Sequence, residues 1–194
     1  MANTPISLEQ IFLDARTANG FTDKPVPLAL LQQVYALARM GPTSMNTQPT
    51  RYVFLTTPAA RERLRPALSA GNLDKTMSAP VTVIVATDTR FYEFMPEVWH
   101  REGAREMFAG NAALAQGTAT RNGTLGGGYF MVAARALGLD CGPMSGFDIA
   151  KVNAEFFPDG RWQANFLINL GYGDASQLFP RNARLSFEQA CQVL

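Results

Sequence analysis

Gly126-Gly127-Gly128 stands inside a run from Ala112 to Gly138 that otherwise reads as helix, with Tyr129, Phe130, Met131, Val132, Ala133 and Ala134 directly behind the triplet. Glycine weakens a helix by about 1 kcal/mol per residue against alanine. Three in succession are tolerable only where another backbone passes close by. Ala112, Ala113, Ala115, Gly117, Ala119 and Gly123 continue the small-residue character. The run therefore predicts a central helix packed tightly against a partner, with the same helix of a second subunit as the expected one, and Gly138 as its end. Arg121 and Asn122 within it either face a cavity or cap polar gaps.

The rest of the chain supplies elements to surround such a helix. Leu28, Leu31, Val34, Tyr35 and Ala38 recur at helical spacing and predict an apolar face. Gly41, in left-handed geometry, and Pro42 are expected to end that helix. Ser7-Leu8-Glu9-Gln10 has the form of a capping box and predicts a short helix to about Arg16. Val81 to Ala86 is β-branched and almost continuously apolar, as in a strand covered on both faces. Strands are also expected at 52–56 and 165–170, and a charged, solvated helix behind Pro58 through Arg61, Glu62, Arg63 and Arg65. Asp148 reads as a helix N-cap, and Ser186-Phe187-Glu188-Gln189 as another helix start.

With 47% hydrophobic and 17% charged residues over 194, the chain has enough apolar material for one domain, residues 1–194. Seventeen basic against sixteen acidic residues argue against a broad nucleic-acid footprint. No run resembles a signal peptide or is long enough to span a bilayer. Cys141 and Cys191 form no C-x-x-C and have one histidine, His100, for company. No zinc site can be assembled from them, and reduced structural thiols in a cytoplasmic protein are the expectation.

Chemistry concentrates elsewhere. Gly41 to Pro49 carries Thr43, Ser44, Asn46, Thr47 and Gln48, short donors and acceptors suited to a polar, planar ligand, or to an ordinary polar turn. Arg16-Thr17 offers a guanidinium and a hydroxyl for phosphate oxygens, with the Asn19 amide close behind in sequence, or a basic helix end. Arg181 and Arg184 repeat the cationic theme near the C-terminus. Asn72 and Lys75 share a face if their segment is helical. Ser145-Gly146 leaves a main-chain N–H open to close approach by a ring atom. The aromatic segment 90–110 reads as a lid over a site or as a surface excursion, with the aromatics favouring a lid. Gly171-Tyr172-Gly173 is no dinucleotide fingerprint: the sixth position is Ser176 and no βαβ unit can follow. No P-loop, nucleophile elbow or H-E-x-x-H is present. Phosphate chemistry near both ends, a polar loop, an N-x-x-K pair and an open N–H together suit a flavin mononucleotide.

Read in order, Arg16-Thr17 with Phe21, P-T-S-x-N-x-Q-P at 42–49, Asn72-x-x-Lys75, Ala79-Pro80-Val81, P-x-x-G-F-D at 143–148 and L-G-Y-G-D at 170–174 resemble the FMN-dependent nitroreductase family, from about Asp14 to Ser186. The G-P-T-S-x-N loop at 41–46, G-P-M-S-G-F-D and the closing R-L-S-F-E are most similar to the subgroup containing malonic semialdehyde reductase. The resemblance implies an α+β fold, a central mostly antiparallel sheet flanked by helices, in an intertwined homodimer holding two FMN molecules at the subunit interface. Arg16, Thr17 and Arg184 would hold the phosphate. Asn19 stands where many relatives carry a cation, and Arg181 is spaced differently from the family pattern. The loop bearing Thr43 would bring Ser44 and Asn46 to the flavin of the neighbouring subunit. Asn72 and Lys75 would face the pyrimidine edge, and the N–H groups near Ser145 and Gly146 would address N5. The activity implied is FMN-dependent reduction of a small acceptor by NAD(P)H, with 3-oxopropanoate as the acceptor and Arg101, Arg105 or Arg121 available for its carboxylate. A nitroaromatic or quinone reductase, a flavin carrier without turnover and a purely structural dimer are the rival readings.

Overall fold

The computed structural model describes residues 7–194; residues 1–6 of the expected 1–194 unit lie outside the described residues. Among those described, β1 (Thr50–Leu55), β2 (Val81–Asp88), β3 (Asp140–Met144) and β4 (Trp162–Gly171) form a sheet in the order β1-β2-β4-β3, every pair antiparallel. Around it lie α1 (Leu28–Ala38), α2 (Pro58–Leu64), α3 (Ala70–Ser78), α4 (Met95–Val98), α5 (Ala104–Ala109), α6 (Ala112–Ala136), α7 (Ile149–Phe156) and α8 (Phe187–Ala190). The α+β layering matches the expectation.

β2 explains the layering. Its side chains alternate between faces. Val81, Val83 and Val85 enter one core with Leu31, Val34 and Phe130, while Ile84 and Ala86 enter a second with Leu64, Val152 and Leu167. Both faces are dry, so the strand reads as one apolar run. Its end carries a fully buried carboxylate, Asp88, held by Arg51 at 2.7 Å, Arg161 at 3.4 Å and the Arg90 N–H at 2.9 Å. A buried charge needs such partners.

α6 crosses the first face, and its glycines turn out to serve the chain's own sheet. A Cβ on Gly123 would stand 2.6 Å from Thr87 Oγ1, one on Gly126 2.1 Å from Thr50 Oγ1, and one on Gly127 2.4 Å from Phe166 Cζ. The close partners of these three glycines are thus β1, β2 and β4 of the same chain. Gly117 and Gly128 meet nothing within 4 Å among the described residues. Asn111 caps the first turn through Leu114 N at 3.0 Å. Gly138, at φ +80°, ends the helix in a Schellman arrangement, with Leu139 N on Ala134 O and Gly138 N on Arg135 O.

Four local expectations need correction. Gly41 is not left-handed; it lacks a side chain because Tyr129 Cγ lies 2.6 Å from where its Cβ would be. Ser7 accepts from Gln10 N at 3.1 Å, but the Gln10 amide reaches across to Arg135 O at 2.7 Å. The reciprocal half of the box is therefore missing, and the segment is a π-helical turn, Glu9–Leu13, ending before Arg16. Leu28 and Tyr35 of the predicted α1 face are exposed, and Leu31, Val34 and Ala38 alone are buried. Arg61 is not solvated: it is buried and donates to Pro80 O at 3.1 Å, with burial lowering its pKa.

Candidate active site

Segment 17–22 is laid along the sheet by contacts that the sequence motifs supply. Thr17 bridges Cys141 in parallel, and Ala18 N donates to Cys141 O at 3.0 Å. A Cβ on Gly142 would stand 2.5 Å from Ala18 O, so only glycine admits this approach. Phe21 bridges Gly173, Thr22 N donates to Tyr172 O, and Asp174 N to Gly20 O. Gly171 is crowded by Pro80 and Phe21 in the same way. The A-P-V and L-G-Y-G-D motifs thereby position Arg16-Thr17. Asp174 folds the chain back, accepting from Ser176 and Gln177; those bonds, Ser176's first, hold its carboxyl below the usual range.

The return brings both chain ends together. Arg16 donates to Phe179 O, and Arg181 to Leu13 O and to Ala15 O at 3.0 Å. Between them opens a cavity of about 390 Å³ lined by Arg16, Thr17 and Arg184, the three residues expected at the phosphate, and by Asn19 and Arg181. A sixth, Arg135 from the last turn of α6, also lines it and was not foreseen. None of these four arginines makes an ion pair among the described residues, and no carboxylate lines the cavity. Guanidiniums gathered without counter-charge make an anion site. The buried, unpartnered Nε of Arg135 fits a phosphate group there.

A second group forms one strand-length away. β3 leads from Cys141 to Ser145, roughly 13 Å at ~3.3 Å per residue. The segment Ala70–Ser78 is helical, so Asn72 and Lys75 do stand one turn apart. Asn72 Nδ2 donates to Gly146 O at 2.8 Å, and Ser69 Oγ, unforeseen, donates to the same oxygen at 2.6 Å. A Cβ on Gly146 would lie 2.5 Å from Asn72 Nδ2. The main-chain N–H groups of Ser145 and Gly146 have no acceptor among the described residues and both residues are exposed. α3 is fixed by a buried chain: Thr82 Oγ1 to Asn169 Oδ1 at 3.0 Å, then Asn169 Nδ2 to Thr76 Oγ1 at 3.2 Å. Lys75 makes no ion pair among the described residues.

Thr43, Ser44 and Asn46 join neither group. Met45, Asn46 and Gln48 take positive φ of 50°, 53° and 42°, conformations that cost non-glycine residues about 1–3 kcal/mol each. Four bonds hold them. Asn122 Oδ1 accepts Ser44 N at 2.8 Å, so this asparagine caps a polar gap. Asn46 Nδ2 donates to Val98 O at 2.8 Å, Gln48 N to Thr43 Oγ1 at 3.1 Å, and Arg51 Nη1 to Gln48 O at 2.8 Å. Segment 90–110 has its own core of Phe91, Met95, Ala104 and Phe108, against which Met45 packs. Thr43 and Thr47 line a separate cleft of about 490 Å³ with Tyr35, Arg51 and Tyr52, where Thr47's hydroxyl is buried without a partner. Arg101, Arg105 and Arg121 are exposed.

A helix-flanked antiparallel sheet carrying an anion cavity, an amide–lysine turn and an open N–H pair is the frame of one class of protein. Residues 14–172 match the sequence pattern of the Nitroreductase family, and the chain belongs to it. A Ralstonia nicotianae relative named "Putative NADH dehydrogenase/NAD(P)H nitroreductase" is 54% identical over 98% of this chain and 97% of its own. Among solved structures, a nitroreductase family protein from Streptococcus pneumoniae superposes with a TM-score of 0.84 at 20% identity, covering 97% of this chain and 100% of that one. A protein of Exiguobacterium sibiricum solved in complex with FMN gives 0.83 at 16%, covering 98% and 99%.

Proposed function

We propose that this protein is an FMN-dependent NAD(P)H oxidoreductase that works as a homodimer, with 3-oxopropanoate as its acceptor. The convergence of Arg16, Thr17, Arg181 and Arg184 from opposite ends of the chain on one cavity without a carboxylate carries the reading. The names of the relative and of the FMN-bound neighbour support it. Bound FMN would supply hydride transfer at N5, first from NAD(P)H and then to the acceptor. The arginines and Thr17 hold its phosphate. Asn72 and the N–H groups of Ser145 and Gly146 orient the ring edge. Lys75, a cation without an ion pair among the described residues, stabilises negative charge gathering near N1 and O2.

Apolar surface supports the dimer. Leu37 of α1, Leu125 and Tyr129 of α6, and Phe179, Leu185, Phe187, Val193 and Leu194 of the tail are exposed within one chain, and such patches mark interfaces. The loop holding Ser44 and Asn46 faces no flavin group of its own chain, as a loop serving a neighbour would. The choice of 3-oxopropanoate rests on the G-P-T-S-x-N loop, G-P-M-S-G-F-D and R-L-S-F-E alone. Relatives' names favour a nitroaromatic acceptor as the second reading.

The test is direct. Purified protein should be yellow, bleach when mixed anaerobically with NADPH or NADH, and turn over 3-oxopropanoate with a higher kcat/KM than a nitroaromatic. Preference for the nitroaromatic replaces the acceptor; a flavin that binds but never bleaches makes the protein a carrier; protein that cannot be loaded with FMN ends the reading.

A further inference from the structure

We propose that Arg135 is a ligand of the flavin phosphate, and a stronger one than Arg181; the inference rests on the FMN reading above. In sequence an arginine in a helix's last turn is an ordinary complement to the helix dipole, and nothing marks this one out. Its surroundings do. Arg135 lines the same cavity as Arg16, Thr17 and Arg184. Its Nε is buried with no partner, and its Nη1 reaches Ile11 O only at 3.4 Å.

The other cavity arginines already have acceptors. Arg16 donates to Phe179 O, Arg181 to two carbonyls of the N-terminal segment, and Arg184 to Asn182 O and Ala183 O at 2.9 and 3.2 Å. Arg181 is therefore chiefly a cross-brace between the chain ends. A desolvated cationic donor without an acceptor is the group that gains most when an anion enters. α6 is anchored along the sheet by its glycines and closed by Gly138, so Arg135 is presented from a rigid element, whereas Arg184 comes from the tail. Its aim toward a phosphate does not depend on the tail's placement.

The experiment titrates flavin-stripped protein with FMN and, separately, with riboflavin, which lacks the phosphate, following quenching of flavin fluorescence. Arg135→Met should weaken FMN on the order of 10- to 100-fold while riboflavin affinity stays within about twofold. Arg135→Lys, which keeps charge but loses the planar fork, should fall between. Arg181→Met should weaken FMN less than Arg135→Met. Inorganic phosphate should raise the melting temperature of stripped wild type and do so less in either Arg135 variant. Equal loss of FMN and riboflavin would assign Arg135 a structural role and overturn the proposal, as would unchanged FMN affinity. If Arg135→Met fails to fold, Arg135→Lys decides by the same comparison. Wild type that binds no FMN at all overturns the parent reading instead, so the two failures are distinct.

Discussion

Lys75 owes its place to one helical turn and one buried amide. Asn72 ties α3 to Gly146, Asn169 ties it to the sheet, and the ammonium is left without a carboxylate among the described residues. Lys75→Ala should leave fold and dimer intact and slow flavin reduction by about 10²-fold in stopped flow; an unchanged rate refutes its electrostatic role. Cys141 is inert for a different reason: burial pushes its thiol up to about 12, with Arg135 opposing. A Cys191→Ser chain should show no thiol reactive to a disulfide reagent until denatured, then one. Because folding raises this pKa, the stability it contributes is whole below the ordinary thiol value of 9.0 and is lost as pH climbs toward about 12. Arg16-Thr17 and Asn72-x-x-Lys75 were legible because their chemistry lies within four residues. Arg135 and Ser69 were not, since each matters through partners more than 40 positions away, Gly146 for Ser69 and the cavity's tail residues for Arg135.

At the scale of elements, β2 was legible from Val81 to Ala86, because both of its faces are dry and its composition says so, while its last two residues, Thr87 and Asp88, were not. The glycines of α6 were legible as a demand for closeness but not as to its object, since sequence records what a residue lacks and not what takes the space. That difference is testable. Gly127→Ala drives a methyl into Phe166 and Val85 and should destabilise by about 1–3 kcal/mol in urea melts. Gly128→Ala meets nothing within its own chain; it should stabilise by up to ~1 kcal/mol. Loss of dimer from Gly128→Ala would instead place a second chain against that position. The strained Met45–Gln48 loop depends on Asn122 in a similar way. Asn122→Ala leaves the Ser44 N–H without its acceptor and should cost about 1–3 kcal/mol.

For the molecule as a whole, the tail from Leu178 to Leu194 decides most. It lies outside the sheet, keeps its apolar side chains exposed and delivers Arg181 and Arg184 to the cavity. A chain ending at Gln177 should shift from dimer toward monomer by light scattering and lose FMN affinity together, whereas Arg184→Ala should lower affinity and keep the mass. Unchanged mass on truncation would place the dimer contact on α1 and α6 alone. The lacing of Arg16 to Phe179 and of Arg181 to Leu13 and Ala15 has one more consequence. Whatever occupies the hollow between those segments also fastens the two extremities, by mass action. Trypsin, which cuts after arginine, therefore becomes a gauge of loading. Nicking at Arg181 and Arg184 should slow as FMN is added and quicken when it is stripped, with no turnover needed to read the result.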